Sequence, residues 1–365
     1  MKIAHVAQDA CTAATGNQDT RLPELAQSTV GLGHDVTIDR AGDSSVAAFA
    51  GYLADRWRPG PPDVVHAHDA TAGLAALAAA RDHATPVVLT LDCQDAIAQP
   101  WQRDGHAPGG SRAEAAIGRN VSLVIAPCTD QAQRLSRLGV PRMSVKVIPG
   151  GIDTTQFTPD RSAARRDGLA RLVTTMPLAD TRGLAALTHA MTRVPDAELL
   201  IVGGPPASRL RDSNTYAQIS KAAARLGVAD RVIFTGHVDR TDMPALLRSA
   251  ELMVNAAASE AHGTAPVEAM ACGTPVLSCA SGCYGDAVAD RATGVFLTAE
   301  RPGPLAKQIR DLLASPMLLQ GYAIAAADRA WNRYSWERVA GETVAAYESA
   351  RRPADVCEDG EEVCA

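Results

Sequence analysis

Short apolar runs alternate with longer amphipathic stretches along almost the whole chain. In the first half the apolar runs fall at 2–7, 35–39, 63–66, 86–91, 123–126 and 145–149. Runs of this length, bounded by polar and turn residues, predict strands. Between them lie helical patterns at 22–32, 45–57, 72–80, 113–119 and 130–138, and Gly33 is placed to stop the first of these. The alternation pauses at 149–159, where Pro149, Gly150, Gly151 and Pro159 mark a connection. It then resumes with strands at 172–176, 198–202, 231–235, 252–256, 275–278 and 294–297, and helices at 184–191, 215–226, 243–249 and 304–313. Continuous apolar strands separated by helices imply parallel sheets covered on both faces. The predicted fold is α/β, with two doubly wound Rossmann-like domains and a cleft between them. The predicted divisions are an N-terminal domain over 1–150, a C-terminal domain over 151–334, a helix over 335–352 and an acidic, disordered tail over 353–365.

Composition narrows the function. A chain of 365 residues suits two domains, and 46% hydrophobic residues provide for sizeable cores. Aromatic residues make up only 4% and alanine is abundant, so the helices are expected to pack closely on small side chains. Net charge is −6 with no Lys/Arg block, which argues against a nucleic-acid footprint or a polybasic membrane patch. No apolar run approaches the ~20 residues that span a bilayer. The N-terminus enters a strand directly, without a leader pattern, and a cytoplasmic location is expected. The eight cysteines, at 11, 93, 128, 272, 279, 283, 357 and 364, form no CxxC pair and read as small buried hydrophobes. His66 and His68 share a strand face, but two histidines fall short of a metal site.

The most informative pair is Glu260 and Glu268. Glu260 lies on the loop leaving the strand at 252–256. Glu268 is expected in the first turn of a helix that opens on Pro266 and ends at Gly273. Backbone N–H groups at such a helix start suit a phosphorylated ligand, and two carboxylates can take hydroxyl hydrogen bonds. In a two-domain chain of this kind the ligand binds at the carboxyl ends of the strands, in the cleft.

The chain resembles retaining glycosyltransferases of family 4, which have the GT-B architecture. The resemblance rests on Glu260-x7-Glu268 followed by Ala-Met-Ala-Cys-Gly-Thr-Pro-Val. Further motifs follow in the family's order: Gly33-His34-Asp35-Val36-Thr37, Pro62-Asp63-Val64-Val65-His66-Ala67-His68, Val147-Ile148-Pro149-Gly150-Gly151-Ile152-Asp153 and Leu200-Ile201-Val202-Gly203-Gly204. Asp230 to Val238, Ala292 to Val295 and Tyr334-Ser335-Trp336 complete the set, the last opening a helix that in the family crosses back to the N-terminal domain. The resemblance implies that Glu260 holds donor-sugar hydroxyls and Glu268 the ribose. It implies backbone contacts to sugar and phosphates from His262, Gly263, Thr264 and Ala265, base contacts from Gly236, His237 and Val238, and a close approach of Gly16 to the diphosphate. Glu260 and Arg182 are the catalytic candidates.

Several positions depart from the family pattern. Arg182 stands where a diphosphate-binding Lys is usual, but the companion Arg is replaced by Pro177. Arg209 is a candidate substitute, with a solvated loop charge as the alternative. Thr15-Gly16 stands for a paired glycine, His262 for a usual Phe, and Asp92 for a His that reaches the donor sugar. Loops 8–20 and 90–110 of the N-terminal domain are expected to bind the acceptor through Asn17, Asp19, Asp92 and Asp95, with His68 at a strand end as a further acceptor candidate. Asp9, Asp19, Asp92 and Asp95 form an acidic set suited to an amine-bearing or cationic acceptor, with solvated loops as the plain alternative. The expected reaction transfers a sugar with retention from a GDP- or UDP-sugar to a small hydrophilic acceptor, without a cofactor or metal, in a setting such as antibiotic biosynthesis. No nucleic-acid partner and no membrane insertion are expected. A nucleotide-sugar 2-epimerase and a non-catalytic sugar-nucleotide binder are the competing classes.

Overall fold

A computed structural model describes residues 1–8, 21–91, 109–166, 168–256 and 264–351, with 109–113 as backbone only. The first sheet contains β1 (Lys2–Ala7), β2 (Asp35–Arg40), β3 (Val64–Ala67), β4 (Val87–Thr90), β5 (Leu123–Ala126) and β6 (Val145–Val147). All its pairings are parallel, in the order β2-β1-β3-β4-β5-β6. The second sheet contains β7 (Ala170–Thr174), β8 (Ala197–Val202), β9 (Val232–Gly236), β10 (Leu252–Asn255), β11 (Val276–Ser278) and β12 (Gly294–Phe296), in the order β12-β11-β10-β7-β8-β9. It too is parallel throughout.

Helices cover the first sheet as α1 (Arg21–Gly31), α2 (Val46–Trp57), α3 (Ala70–Ala80), α4 (Gly109–Gly118) and α5 (Thr129–Arg137). Caps set several starts: Ser45 accepts from the Ala48 N–H at 3.3 Å, and Asp69 from the Ala72 N–H at 2.7 Å. Helix α3 packs through alanines, and a Cβ at Gly73 would lie 3.1 Å from Leu89. The small-residue packing expected from composition is present there. The second domain carries α6 (Thr181–Ala190), α7 (Asn214–Leu226), α8 (Met243–Arg248), α9 (Thr264–Ala271), α10 (Cys283–Ala287), α11 (Pro302–Leu313), α12 (Pro316–Tyr334) and α13 (Trp336–Arg351).

The pattern had given no helix over 316–334. Its buried face is Leu319, Tyr322, Ala326, Ala327, Ala330 and Tyr334, so alanines carry much of the helical period and the apolar stripe is faint in sequence. Helix α13 returns to the first domain, where Val339, Val344, Ala346 and Tyr347 pack with Ile3, Val64 and Val88. The junction between α12 and α13 clamps the connection between the sheets. The Ile152 N–H donates to the Tyr334 carbonyl at 2.8 Å, and the Trp336 ring lies on Gly151, leaving no room for a Cβ.

Candidate active site

The order of the second sheet decides where a ligand can bind. Strand β7 sits between β10 and β8, so the connections leaving β7 and β10 diverge to opposite faces and open a crevice at their carboxyl ends. Asn255, fully buried at the end of β10, holds this edge together. Its Oδ1 accepts from Thr174 Oγ1 at 2.9 Å and from the Thr175 N–H at 3.3 Å, and its Nδ2 donates to the Tyr284 hydroxyl. Across the crevice, Asp180 caps α6 by accepting from the Gly183 N–H at 2.9 Å. A Cβ at Gly183 would lie 3.1 Å from the Ala256 carbonyl oxygen, so only glycine lets the start of α6 come this close to the end of β10. Arg182 follows on the first turn, exposed, with no hydrogen bond or ion pair among the described residues. A guanidinium beside a helix N-terminus favours an anion. Pro177 takes part in the preceding turn through its carbonyl, which accepts from the Asp180 N–H at 2.8 Å.

Glu268 lies deeper than its sequence position suggested. Helix α9 begins at Thr264, so Pro266 is its third residue and Glu268 its fifth, two residues further in than expected. The missing N–H of Pro266 still costs no helix bond, because the first four N–H groups have no partner within the helix. Glu268 is 8% exposed, and its Oε1 accepts from Arg240 Nη1 at 2.7 Å. Arg240 leaves the turn after β9, lies over the Phe157 ring at 5.1 Å and stands 3.7 Å from Glu24 on α1 of the first domain. Its Nε is buried with no partner among the described residues. Sequence reasoning missed Arg240, because its partners are far along the chain and nothing in its own neighbourhood marks it. Thr264 and Ala265 are half-buried at the head of α9. A Cβ on Gly150 would lie 3.5 Å from the Thr264 methyl, which places the interdomain connection beside that helix start.

The loops after β8 and β9 interlock. Gly236 has φ +70°, and a Cβ there would lie 2.8 Å from the Pro205 carbonyl oxygen. The Gly203 N–H donates to the Gly236 carbonyl at 3.0 Å, and the His237 N–H donates to the Pro205 carbonyl at 3.1 Å. His237 Nε2 is 3.4 Å from Asp239, while Val238 packs on the core that contains Val267 and Met270. Arg209, the proposed substitute for a phosphate cation, is exposed and 3.5 Å from an equally exposed Asp212, as a solvated loop charge would be.

In the first domain the switch point lies between β1 and β3. There the structure adds a residue to the His66–His68 pair. His5 on β1 aligns with His66 on β3, and its Nδ1 is 2.8 Å from His68 Nε2. One ring nitrogen from each of the three histidines lies within 4.8 Å of the others, spacing that could hold a metal ion. His66 engages both its nitrogens in hydrogen bonds, with the Tyr347 hydroxyl and Thr90 Oγ1, each at 2.7 Å. Burial, reinforced by the His68 imidazole, holds His5 and His66 well below the usual histidine range. Of the remaining expected site residues, Gly16, Asn17, Asp19, Asp92, Asp95, Glu260, His262 and Gly263 lie outside the described residues, as do Asp9 and the tail.

Two parallel α/β domains, each with a switch-point crevice, define the GT-B class of nucleotide-sugar glycosyltransferases. The "Glycosyltransferase Family 4" model matches residues 17–156, and the "Glycosyl transferases group 1" model matches residues 164–329. The chain is 31% identical over 306 residues to the D-inositol 3-phosphate glycosyltransferase of Mycolicibacterium vanbaalenii, covering 79% of this chain and 67% of that protein. It is similar in fold to sucrose-phosphate synthase from Thermosynechococcus elongatus, with TM-score 0.82, 20% identity and coverage of 95% and 98% of the two chains. Anabaena HepE, solved with UDP and glucose, superposes with TM-score 0.75 at 18% identity, covering 96% of this chain and 100% of its own. The chain belongs to glycosyltransferase family 4 and is a glycosyltransferase that uses a nucleotide-sugar donor. Among the described residues, no helix is long and apolar enough to cross a membrane.

Proposed function

We propose that the enzyme transfers a hexosyl group, with retention and without a metal, from a UDP- or GDP-sugar to an amine-bearing cyclitol or a related small polyol. The observation that carries this reading is the convergence at the crevice of β7 and β10. Arg182, without a partner among the described residues, stands at a helix start there, and the buried Glu268 of α9 pairs with the half-buried Arg240 from the turn after β9. Glu268 would accept hydrogen bonds from ribose hydroxyls while Arg240 holds its other side. Arg182 would face the diphosphate, and Glu260 the hydroxyls of the donor sugar. In the chemical step the bond from the anomeric carbon to the diphosphate oxygen breaks as the bond to the acceptor oxygen forms on the same face. The acceptor proton passes to the leaving diphosphate, and Arg182 stabilises the charge that builds there. Both domains supply parts of the site, so closure precedes transfer.

The acceptor class rests on two supports. The D-inositol 3-phosphate glycosyltransferases are named for a cyclitol acceptor, and the acidic set Asp9, Asp19, Asp92 and Asp95 complements an ammonium group. An aminocyclitol acceptor would place the enzyme in secondary-metabolite biosynthesis. Thermal shift with UDP, GDP, ADP and dTDP identifies the base, because a ligand that binds only the folded state raises the midpoint. Turnover is then measured with inositol, inositol phosphate and aminocyclitols. Transfer to aminocyclitols in preference to inositol phosphate supports the reading, and exclusive use of a phosphorylated or lipid acceptor overturns it.

A further inference from the structure

Two thiols from different domains meet at the back of the cleft. Cys128 stands at the N-cap of α5, directly after β5 of the first domain, and Cys283 is the first residue of α10 in the second. Their side chains are in hydrogen-bond contact, although 155 positions separate them in sequence. The flanking backbone fixes this meeting from both sides. The Thr129 N–H donates to the Asp286 carboxylate at 2.6 Å, and the Gly282 N–H donates to the Asp130 carboxylate at 2.6 Å. Each domain thus lends an aspartate to the peptide next to the other domain's cysteine. Cys283 also lines an interdomain cavity of about 420 Å³, together with Pro149, Gly150, Asp286, Arg333 and Tyr334. That cavity admits a molecule the size of peroxide to Cys283, while Cys128 is fully buried and does not line it.

We propose that Cys128 and Cys283 are a reversible oxidation site, at which a peroxide joins the two thiols into a disulfide that staples the domains beside their hinge. The thiolate of Cys283, which lines the cavity, attacks one peroxide oxygen, the O–O bond breaks, and a sulfenic acid and hydroxide result. The sulfur of Cys128 then attacks the sulfenic sulfur, the S–O bond breaks, and the departing hydroxide takes the Cys128 proton. Two thiols and one hydrogen peroxide become a disulfide and two waters, and a small dithiol reverses the change. The neighbouring thiols are poorer candidates. Burial pushes Cys272 up to about 12 and raises Cys279. Cys128 is instead brought down by its hydrogen bond with Cys283, against the opposing effect of burial.

The test uses the full chain, reduced or treated with hydrogen peroxide, followed by intact mass, non-reducing peptide mapping and thermal unfolding. The expected result is a loss of 2 Da from the formation of one disulfide. A peptide joining Cys128 to Cys283 should appear, with a raised unfolding midpoint, and both should disappear on reduction. Cys128→Ser places a favourable N-cap residue at the head of α5 and should fold, yet form no joined peptide and show no midpoint shift. Cys283→Ser should behave in the same way. Peroxide-treated wild-type chain without the joined peptide, or a midpoint shift that persists in both serine variants, would overturn the proposal.

Discussion

At the scale of single residues, the proposed function gives Glu268 and Arg182 separable tasks. Glu268 is buried and engages Arg240 through Oε1, and in the proposed site its Oε2 takes a ribose hydroxyl. Arg182 is exposed at a helix start, and in the proposed reaction it contributes once charge builds on the leaving group. Glu268→Ala should therefore weaken binding of the bare nucleoside diphosphate by roughly 10- to 100-fold, the worth of a hydrogen bond to a charged group. Calorimetric titration with the preferred nucleotide measures this, and unchanged affinity would remove Glu268 from the site. Arg182→Ala should lower kcat by about 100-fold or more while nucleotide affinity changes less, because its stabilisation is greatest in the transition state. Arg182→Lys should recover part of that rate. A variant whose only change is in KM would assign Arg182 to ground-state binding instead.

At the scale of elements, the connection at 149–159 shows how a sequence signal acquires its meaning from packing. The Pro/Gly cluster marked a break between domains, and the structure shows what requires glycine at 151: the Trp336 indole from the start of α13 lies against its Cα. The indole Nε1 donates in turn to Glu24 of α1 at 2.6 Å, so three elements of two domains meet at one glycine. Gly151→Ala should cost about 1–3 kcal/mol by overpacking. Urea unfolding at equilibrium should show a lower midpoint with an unchanged slope. A midpoint equal to wild type would mean that the indole moves aside freely. Much of the fold was legible because strands buried on both faces write continuous apolar runs, whatever lies beside them. Gly236 entered through the family motif, and the structure adds a backbone reason for it, since a Cβ there would meet the Pro205 carbonyl oxygen. Arg240, His5 and the 316–334 helix were not legible. The first two take part through strands and turns that only the sheet order brings together, and the third buries alanines that any solvent-facing helix could also carry.

At the scale of the whole molecule, α13 ties the end of the second domain to the core of the first, and its deepest anchor is the Tyr347 hydroxyl on His66. His66 and His5 are both fully buried, and their surroundings disfavour the charged imidazolium. The unfolded chain has no such restriction, and there each titrates near 6.5. Because the folded values lie below the unfolded ones, the unfolded state binds more protons as pH falls. The stability that neutral histidine confers is therefore full above the unfolded value and is lost as pH drops beneath it. Each such group contributes a slope of up to about 1.4 kcal/mol per pH unit, so the pair reaches roughly 2.7 kcal/mol per unit. The thermal midpoint should stay nearly level from pH 8 to 7 and fall steeply between 6.5 and 5, above the range where ordinary carboxylates titrate. His5→Asn removes one of the two groups and should flatten that fall toward half its slope, whatever its effect on stability at pH 8. A wild-type midpoint that stays level down to pH 5.5 would show that the His5–His66–His68 cluster accepts a proton without loosening α13 from the first sheet.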